Sequence, residues 1–296
     1  ALKGQNVSFR NMSLSGDRRN KYPRSKGFIP MDKYLQHVKA DVIFAMFGFN
    51  ESFDGPNNAD KHKSLLVDFV GKLRSYQPNG KSFPRIVLFS PIAFQNLKDR
   101  NLPNGRAHNR NLAAYTKATE NAAKEAGVQF IDLFNPTLKL FEQSKVPLTI
   151  NGAHLNAEGN RLLAEIIAKA LLGKDITAND DLLKIKEAIH KKNWTWHNRY
   201  RATDGNDIWG GRSKLRFVND QSNAEVLQHE LAMLDVMTAN RDQLIWATAQ
   251  GKKYKVDDSN VPAPIKVISN VGGGSKSSNA GKEGTTTYLS PKESLK

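Results

Sequence analysis

Residues 41–48, DVIFAMFG, are apolar at almost every position and run into Gly48-Phe49-Asn50-Glu51. A strand with one wet face alternates apolar and polar residues. A strand without alternation is buried on both faces, the mark of a parallel sheet covered by helices. Two more such runs follow, RIVLFS at 85–90 and VQFIDL at 128–133. Helical spacing separates them: Leu65, Leu66, Phe69, Val70 and Leu73 within 59–76, then an alanine-rich stretch at 107–126 closed by Gly127. Shorter helices are expected at Met31–Lys39, after Pro30, and at 136–144, and a longer one at 157–172, ended by Gly173. Residues 6–14, NVSFRNMSL, read as a further strand that ends at Ser15-Gly16-Asp17. Strands alternating with helices predict an α/β fold, a parallel sheet wound with helices on both faces. In such sheets the site lies at the carboxyl ends of the strands. Gly16, Asn50, Ser90 and His154 all fall at or just after strand ends.

The last third of the chain changes character. Residues 178–192 read as helix, and 193–212 hold three of the four tryptophans. Ser222 and Glu225 form a capping box that opens a long helix through about Gln250. Its stripe of Val226, Leu227, Leu231, Leu234 and Met237 reads as a packing face. Residues 272–287, GGGSKSSNAGKEGTTT, have the composition of a linker. The expected organisation is an α/β domain over 1–174, a mainly helical extension with a Trp-rich segment over 175–271, and a flexible tail over 272–296, with more protein expected beyond it.

The chain has no cysteine among its 296 residues, so disulfides, thiolate catalysis and zinc–cysteine sites are excluded, and no metal or cofactor is expected. No run reaches the apolar length of a membrane span, and ALKGQNVSF lacks the apolar core of a signal peptide. The net charge is +15, and residues 1–174 carry 26 Lys and Arg against 14 Asp and Glu. Much of the excess sits at Arg18, Arg19, Lys21, Arg24, Lys26, Lys33 and Lys39. A solvated face accounts for it, as does attraction to an anionic polymer or an acidic protein. No nucleic-acid motif accompanies the charge.

The stretch VPLTINGAHLNAEGNRLLA, 146–164, delivers His154 from a short loop just ahead of a helix, with Asn156 as its N-cap. A histidine held there is placed as a general base. Ester hydrolysis also needs donors for the oxyanion. Gly16 offers a backbone N–H, and Asn50 offers a side-chain amide. Taken alone, each is also an ordinary turn residue. Together, in order and at strand ends, they resemble the SGNH (GDSL-type) hydrolase family. Ser15-Gly16-Asp17 matches its glycine block, Gly48-Phe49-Asn50 its G-x-N block, and Asn151-Gly152-Ala153-His154 its final block. The resemblance covers about residues 1–174. It implies a flavodoxin-like three-layer fold and an esterase, lipase or carbohydrate-deacylase activity, with Gly16 and Asn50 on the oxyanion and His154 as base.

Two departures stand out. The nucleophile block, which precedes the glycine block in the family, has no counterpart here, and Ser13 and Ser15 lie in the wrong block to replace it. The strand that carries it would be internal to the sheet, so preceding residues or a neighbouring strand are expected in its place; Pro264–Val271 is a candidate. The acid position of the final block is Asn151, a neutral amide that orients an imidazole without stabilising its charge. The last third, with Trp196-His197-Asn198-Arg199-Tyr200-Arg201 and a long helix, looks like the front of planctomycete-type multidomain proteins in which a propeller and a haem-binding region follow. That implies an extracytoplasmic location. Trp196 and Arg199 are then candidates for a substrate-binding wall, or the aromatics wedge the helical arm in place. Three functions fit: hydrolysis of a carbohydrate or small acyl ester by a serine outside this chain, an inactive binding or docking module of a larger haem-containing protein, and a basic platform for an acidic partner.

Overall fold

The computed structural model describes residues 5–24, 27–175, 179–202, 205–216, 220–265, 267–269 and 282–284. The chain divides into two compact units. One comprises Ser15–Pro23 and Pro30–Thr177; the other comprises Ala1–Leu14, Arg24–Ile29 and Ala178–Lys296.

The first unit is α/β. Strands β1 (Val42–Met46), β2 (Arg85–Phe89) and β3 (Gln129–Ile131) pair in parallel in the order β1-β2-β3. They alternate with α1 (Met31–His37), α2 (Ala59–Leu73), α3 (Arg106–Ala126), α4 (Phe134–Gln143) and α5 (Ala157–Leu172). Val87 and Phe89 point to one face of β2, where, with Ile131 and Leu133, they meet Leu163, Ile166, Ile167 and Leu171 of α5. Ile86 and Leu88 point to the other face, and both are buried. Helices α2 and α3 pack on each other, and α3 packs against β2 and β3. Helix, sheet and helix make three layers, as the buried strand runs predict. On β1 the register aligns Phe44 with Val87 and Met46 with Phe89. Val42, Phe44 and Met46 are nevertheless 48%, 39% and 54% exposed, so that face of the edge strand is uncovered.

The second unit is mainly helical. Helix α6 (Asp180–Tyr200) packs along α8 (Asn223–Ala249), and the short α7 (Gly205–Ile208) lies between them in sequence. Asn179 caps α6 and Ser222 caps α8, each accepting a backbone N–H in the first turn. The Trp-rich segment begins inside α6, which runs on to Tyr200.

The expected strand at 6–14 forms no ladder. Its alternation of two survives in another form. The carbonyls of Val7, Phe9, Asn11 and Ser13 accept, in order, from Trp246 Nε1, Lys192 Nζ, Trp196 Nε1 and the Arg201 guanidinium. Between them, Ser8 and Arg10 both bond Asp242. Donors on α6 and α8, with Arg201 at the C-cap of α6, thus satisfy one edge of the segment where a neighbouring strand would. The candidate at Pro264–Val271 fills no gap in the parallel sheet either. Its β4 (Val267–Ser269) pairs antiparallel with β5 (Lys282–Gly284) in a separate two-stranded sheet. Apart from β5, the expected linker at 272–287 lies outside the described residues. No helix among the described residues is long and apolar enough to cross a membrane.

Candidate active site

The chain leaves β1 through Phe47 into Gly48, whose φ is +111°. A side chain is disfavoured there twice over: a Cβ would be strained by that backbone, and it would crowd His62 Nε2 and Pro91 at 3.3 Å. The chain then turns through Asn50 into a turn of 3-10 helix, Glu51–Asp54. The turn after Ser15 carries Gly16 at φ +82°, again in the left-handed region. No hydrogen bond engages the Gly16 N–H among the described residues.

These two turns are clamped together. Asn50 Nδ2 donates to Asp17 O at 2.9 Å, and Arg18 Nη2 donates to Asn50 O at 2.7 Å. Glu51 is buried, and its carboxylate takes one N–H from each turn: Arg19 N at 2.6 Å and Gly48 N at 2.9 Å. Arg18 also pairs with Asp54 at 2.8 Å, and that hydrogen bond raises the guanidinium above its ordinary value. Asn50 spends one amide hydrogen on Asp17 and keeps a second. The arrangement brings Gly16 and Asn50, 34 positions apart in sequence, onto one double turn.

The His154 loop is built separately. Buried Gln95 runs its side chain under it, accepting at Oε1 from Leu148 N, Thr149 N and Thr149 Oγ1, all at 2.9 Å. Gln95 N donates to Gly152 O at 2.8 Å. Asn156 caps α5, accepting from Gly159 N at 2.9 Å. Gly159 has no room for a Cβ, which would overlap Leu148 O. At the tip, Asn151 Oδ1 accepts from Ala153 N at 3.2 Å and His154 N at 3.0 Å, and it lies 3.1 Å from His154 Nδ1. The two backbone donors fix that atom as the oxygen, so Nδ1 carries the proton. With Nδ1 so engaged, Nε2 is the ring nitrogen left to act as a general base, on a residue that is exposed.

One helix and one apolar cluster serve both loops. Phe49, beside Asn50, and Ala153, beside His154, pack against the same cluster of Ala93, Phe94, Leu112, Phe134, Phe141 and Leu148. Helix α3 holds the Asn50 side through Asn111 Nδ2 to Ser52 O at 3.1 Å and Tyr115 to Gly55 O at 3.2 Å. It holds the other side through Asn109, which bonds both main-chain groups of Phe94 at 2.7 and 2.9 Å.

Trp196 and Arg199 are buried in the helical unit, 3% and 6% exposed. Trp196 stacks on Tyr200 and bonds Asn11 O, while Arg199 pairs with Asp235 at 2.8 Å. Ser90 is buried and accepts from Leu133 N and Phe134 N. Asp132 Oδ1 accepts from Asn135 N in the first turn of α4 at 3.1 Å. No group of three or more His, Asp or Glu that could hold a metal stands among the described residues. Sequence reading missed Glu51 and Gln95. Glu51 had one visible signal, a carboxylate directly after a buried strand's terminal turn; Gln95 had another, a lone amide within PIAFQN.

The sequence model of the GDSL-like lipase/acylhydrolase family matches residues 2–162, more than half of the chain. No curated protein matches it. Among solved structures, it is similar to a catalytic mutant of an acetylxylan esterase from Geobacillus stearothermophilus, at 15% identity and a TM-score of 0.36. That match covers 48% of this chain and 64% of that one, so the chain spans just under two thirds of that esterase. It is also similar to a carbohydrate acetylesterase from Sinorhizobium meliloti, at 18% identity and a TM-score of 0.37, over 55% of this chain and 74% of that one.

Proposed function

The chain belongs to the GDSL-like lipase/acylhydrolase family, and from that premise we propose that its α/β unit hydrolyses an ester of a carbohydrate or another small acyl ester. The observation that carries the reading is the clamp in which Asn50 Nδ2 meets Asp17 O, one residue beyond Gly16. It sets a free backbone N–H and an amide hydrogen on one double turn, where an oxyanion takes two donors. The attacking hydroxyl in this reading is a serine contributed from outside residues 1–296. His154 Nε2 takes its proton as the oxygen bonds the carbonyl carbon, and the carbonyl electrons move onto the oxygen held by Gly16 and Asn50. The proton then passes from His154 to the departing alcohol as the ester C–O bond breaks. Water, deprotonated by the same histidine, releases the acid from the acyl-enzyme.

Hydrolysis of p-nitrophenyl acetate by the protein extended at its N-terminus tests this. His154→Asn is expected to lower kcat by about 10²–10⁴, and Asn50→Ala by about 10²–10³. A rate at the uncatalysed background, or one that His154→Asn leaves unchanged, sinks the proposal.

One observation favours a second reading. Asn151 is neutral where a catalytic triad has a carboxylate, which suits a non-catalytic module that binds a ligand or docks a partner within a larger extracytoplasmic protein. The extended protein would then bind an ester and leave it intact.

A further inference from the structure

Four rings form a continuous row across α3. Phe49 and Phe53 meet edge to face at 6.1 Å, and Phe53 and His108 at 5.5 Å; His108 then stacks on Phe94 at 4.8 Å with an interplanar angle of 21°. The row starts beside Asn50 and ends under the His154 loop, because the glycine of that loop lies against Phe94: a Cβ on Gly152 would overlap its ring. The base of the row is rigid. Phe94 is buried, held at both main-chain groups by Asn109, and hemmed in by Gly105 as well as Gly152.

The top of the row is open. Phe53 is 58% exposed, although it sits three residues after Asn50 on a turn fixed by Asn111 and by Asp54's pairing with Arg18. Its neighbours meet it at steep angles, 66° from Phe49 and 78° from His108. The other site loop also carries an exposed apolar residue, Ile150 at 70%, directly before Asn151. Exposed apolar groups on fixed backbone at the rim of a site mark a surface that awaits an apolar ligand. The row has three phenyl rings and one imidazole, and such rings favour stacked or edge-to-face partners of their own kind.

We propose that Phe53 and His108 form a ledge that binds an aromatic ring carried on the substrate, so that the ester class is an aryl or arylalkyl ester. The chemistry rests on the hydrolase reading above, whereas the binding does not. A ring seated on the ledge would join a row that starts beside Asn50 and ends under the His154 loop.

Binding is tested by NMR titration of the protein with three probes: benzyl acetate, ethyl acetate and methyl β-glucoside. Benzyl acetate is expected to shift the His108 and Phe53 ring signals, and Phe53→Ala to weaken it about five- to tenfold. Ethyl acetate should be indifferent to that change. Phe53 is exposed, so its removal does not threaten the fold. Undiminished binding by Phe53→Ala overturns the ledge, and so does methyl β-glucoside shifting those ring signals while benzyl acetate does not. The two readings fail separately. Ring binding without ester hydrolysis in the N-terminally extended protein removes the hydrolase and keeps the ledge; hydrolysis without ring binding does the reverse.

Discussion

His154 reached the surface of the sequence because its neighbours advertise it: a loop of small residues, a capping asparagine and a helix. Gly16 and Asn50 were legible for the same reason, as turn residues that follow apolar runs. Glu51 was not legible as a clamp, because its two partners, Arg19 N and Gly48 N, are backbone groups that no residue type announces. Its worth is testable. Glu51→Gln turns one acceptor oxygen into a donor facing a backbone N–H, leaving buried polar groups unpaired at a cost of about 2 kcal/mol. Urea unfolding of the α/β unit should register that loss, and under the proposed mechanism kcat for p-nitrophenyl acetate should fall more than KM changes, since that mechanism uses the turns for the oxyanion and not for the ground-state ester. Asn151→Asp probes the opposite side of the site. An ionised Asp accepts the same three N–H groups and adds the charge that steadies an imidazolium. The reverse change in a catalytic triad costs about 10⁴ in kcat, so under the proposed mechanism a rise of up to that size is expected in the extended protein. An unchanged rate would mean that His154 does not carry the proton.

At the scale of elements, period and punctuation foretold three parallel strands and α5, whose bounds of Ala157–Leu172 are those the sequence suggests; burial on both faces holds for β2 and not for β1, where Val42, Phe44 and Met46 are exposed. Residues 6–14 went otherwise. Their alternation is that of a strand, but alternation says nothing of what satisfies the backbone, and here indoles, a lysine and an arginine do so. The tryptophans were visible as a cluster, and their job was not, because an indole N–H aimed at a carbonyl 185 positions away leaves no local pattern. Trp196→Phe keeps most of the buried ring and deletes that donor. It should cost the helical unit about 1–3 kcal/mol by stranding the Asn11 carbonyl, read as a shift in its urea midpoint.

At the scale of the molecule, the two units carry buried bases that respond to pH in different windows. His62 lies in the α/β unit. Thr119 Oγ1 donates to Tyr115 O, so it accepts from His62 Nε2, and His62 Nδ1 is left as a buried lone pair without a partner. Burial lowers the imidazole below its ordinary value, against an opposing pull from Glu51. Stability from the neutral ring is complete above the unfolded value of about 6.5 and is lost as pH falls below it. Lys192, in the helical unit, is pushed down to about 8 by burial and by Arg10. Between about pH 8 and 10.5 its unfolded form binds more protons than the folded one, so stability rises with pH there, by at most about 3 kcal/mol. The two effects can be read apart because Trp194, Trp196, Trp209 and Trp246 all belong to the helical unit. Urea unfolding followed by tryptophan fluorescence should therefore strengthen from pH 8 to 10, and Lys192→Met should flatten that slope. Amide exchange of β2 and α3 should report the other unit, with protection falling as the pH drops below 6.5. A tryptophan midpoint that is flat above pH 8 in the parent protein would show that Lys192 keeps its charge at no cost, held by Phe9 O, Asn193 and Asp242.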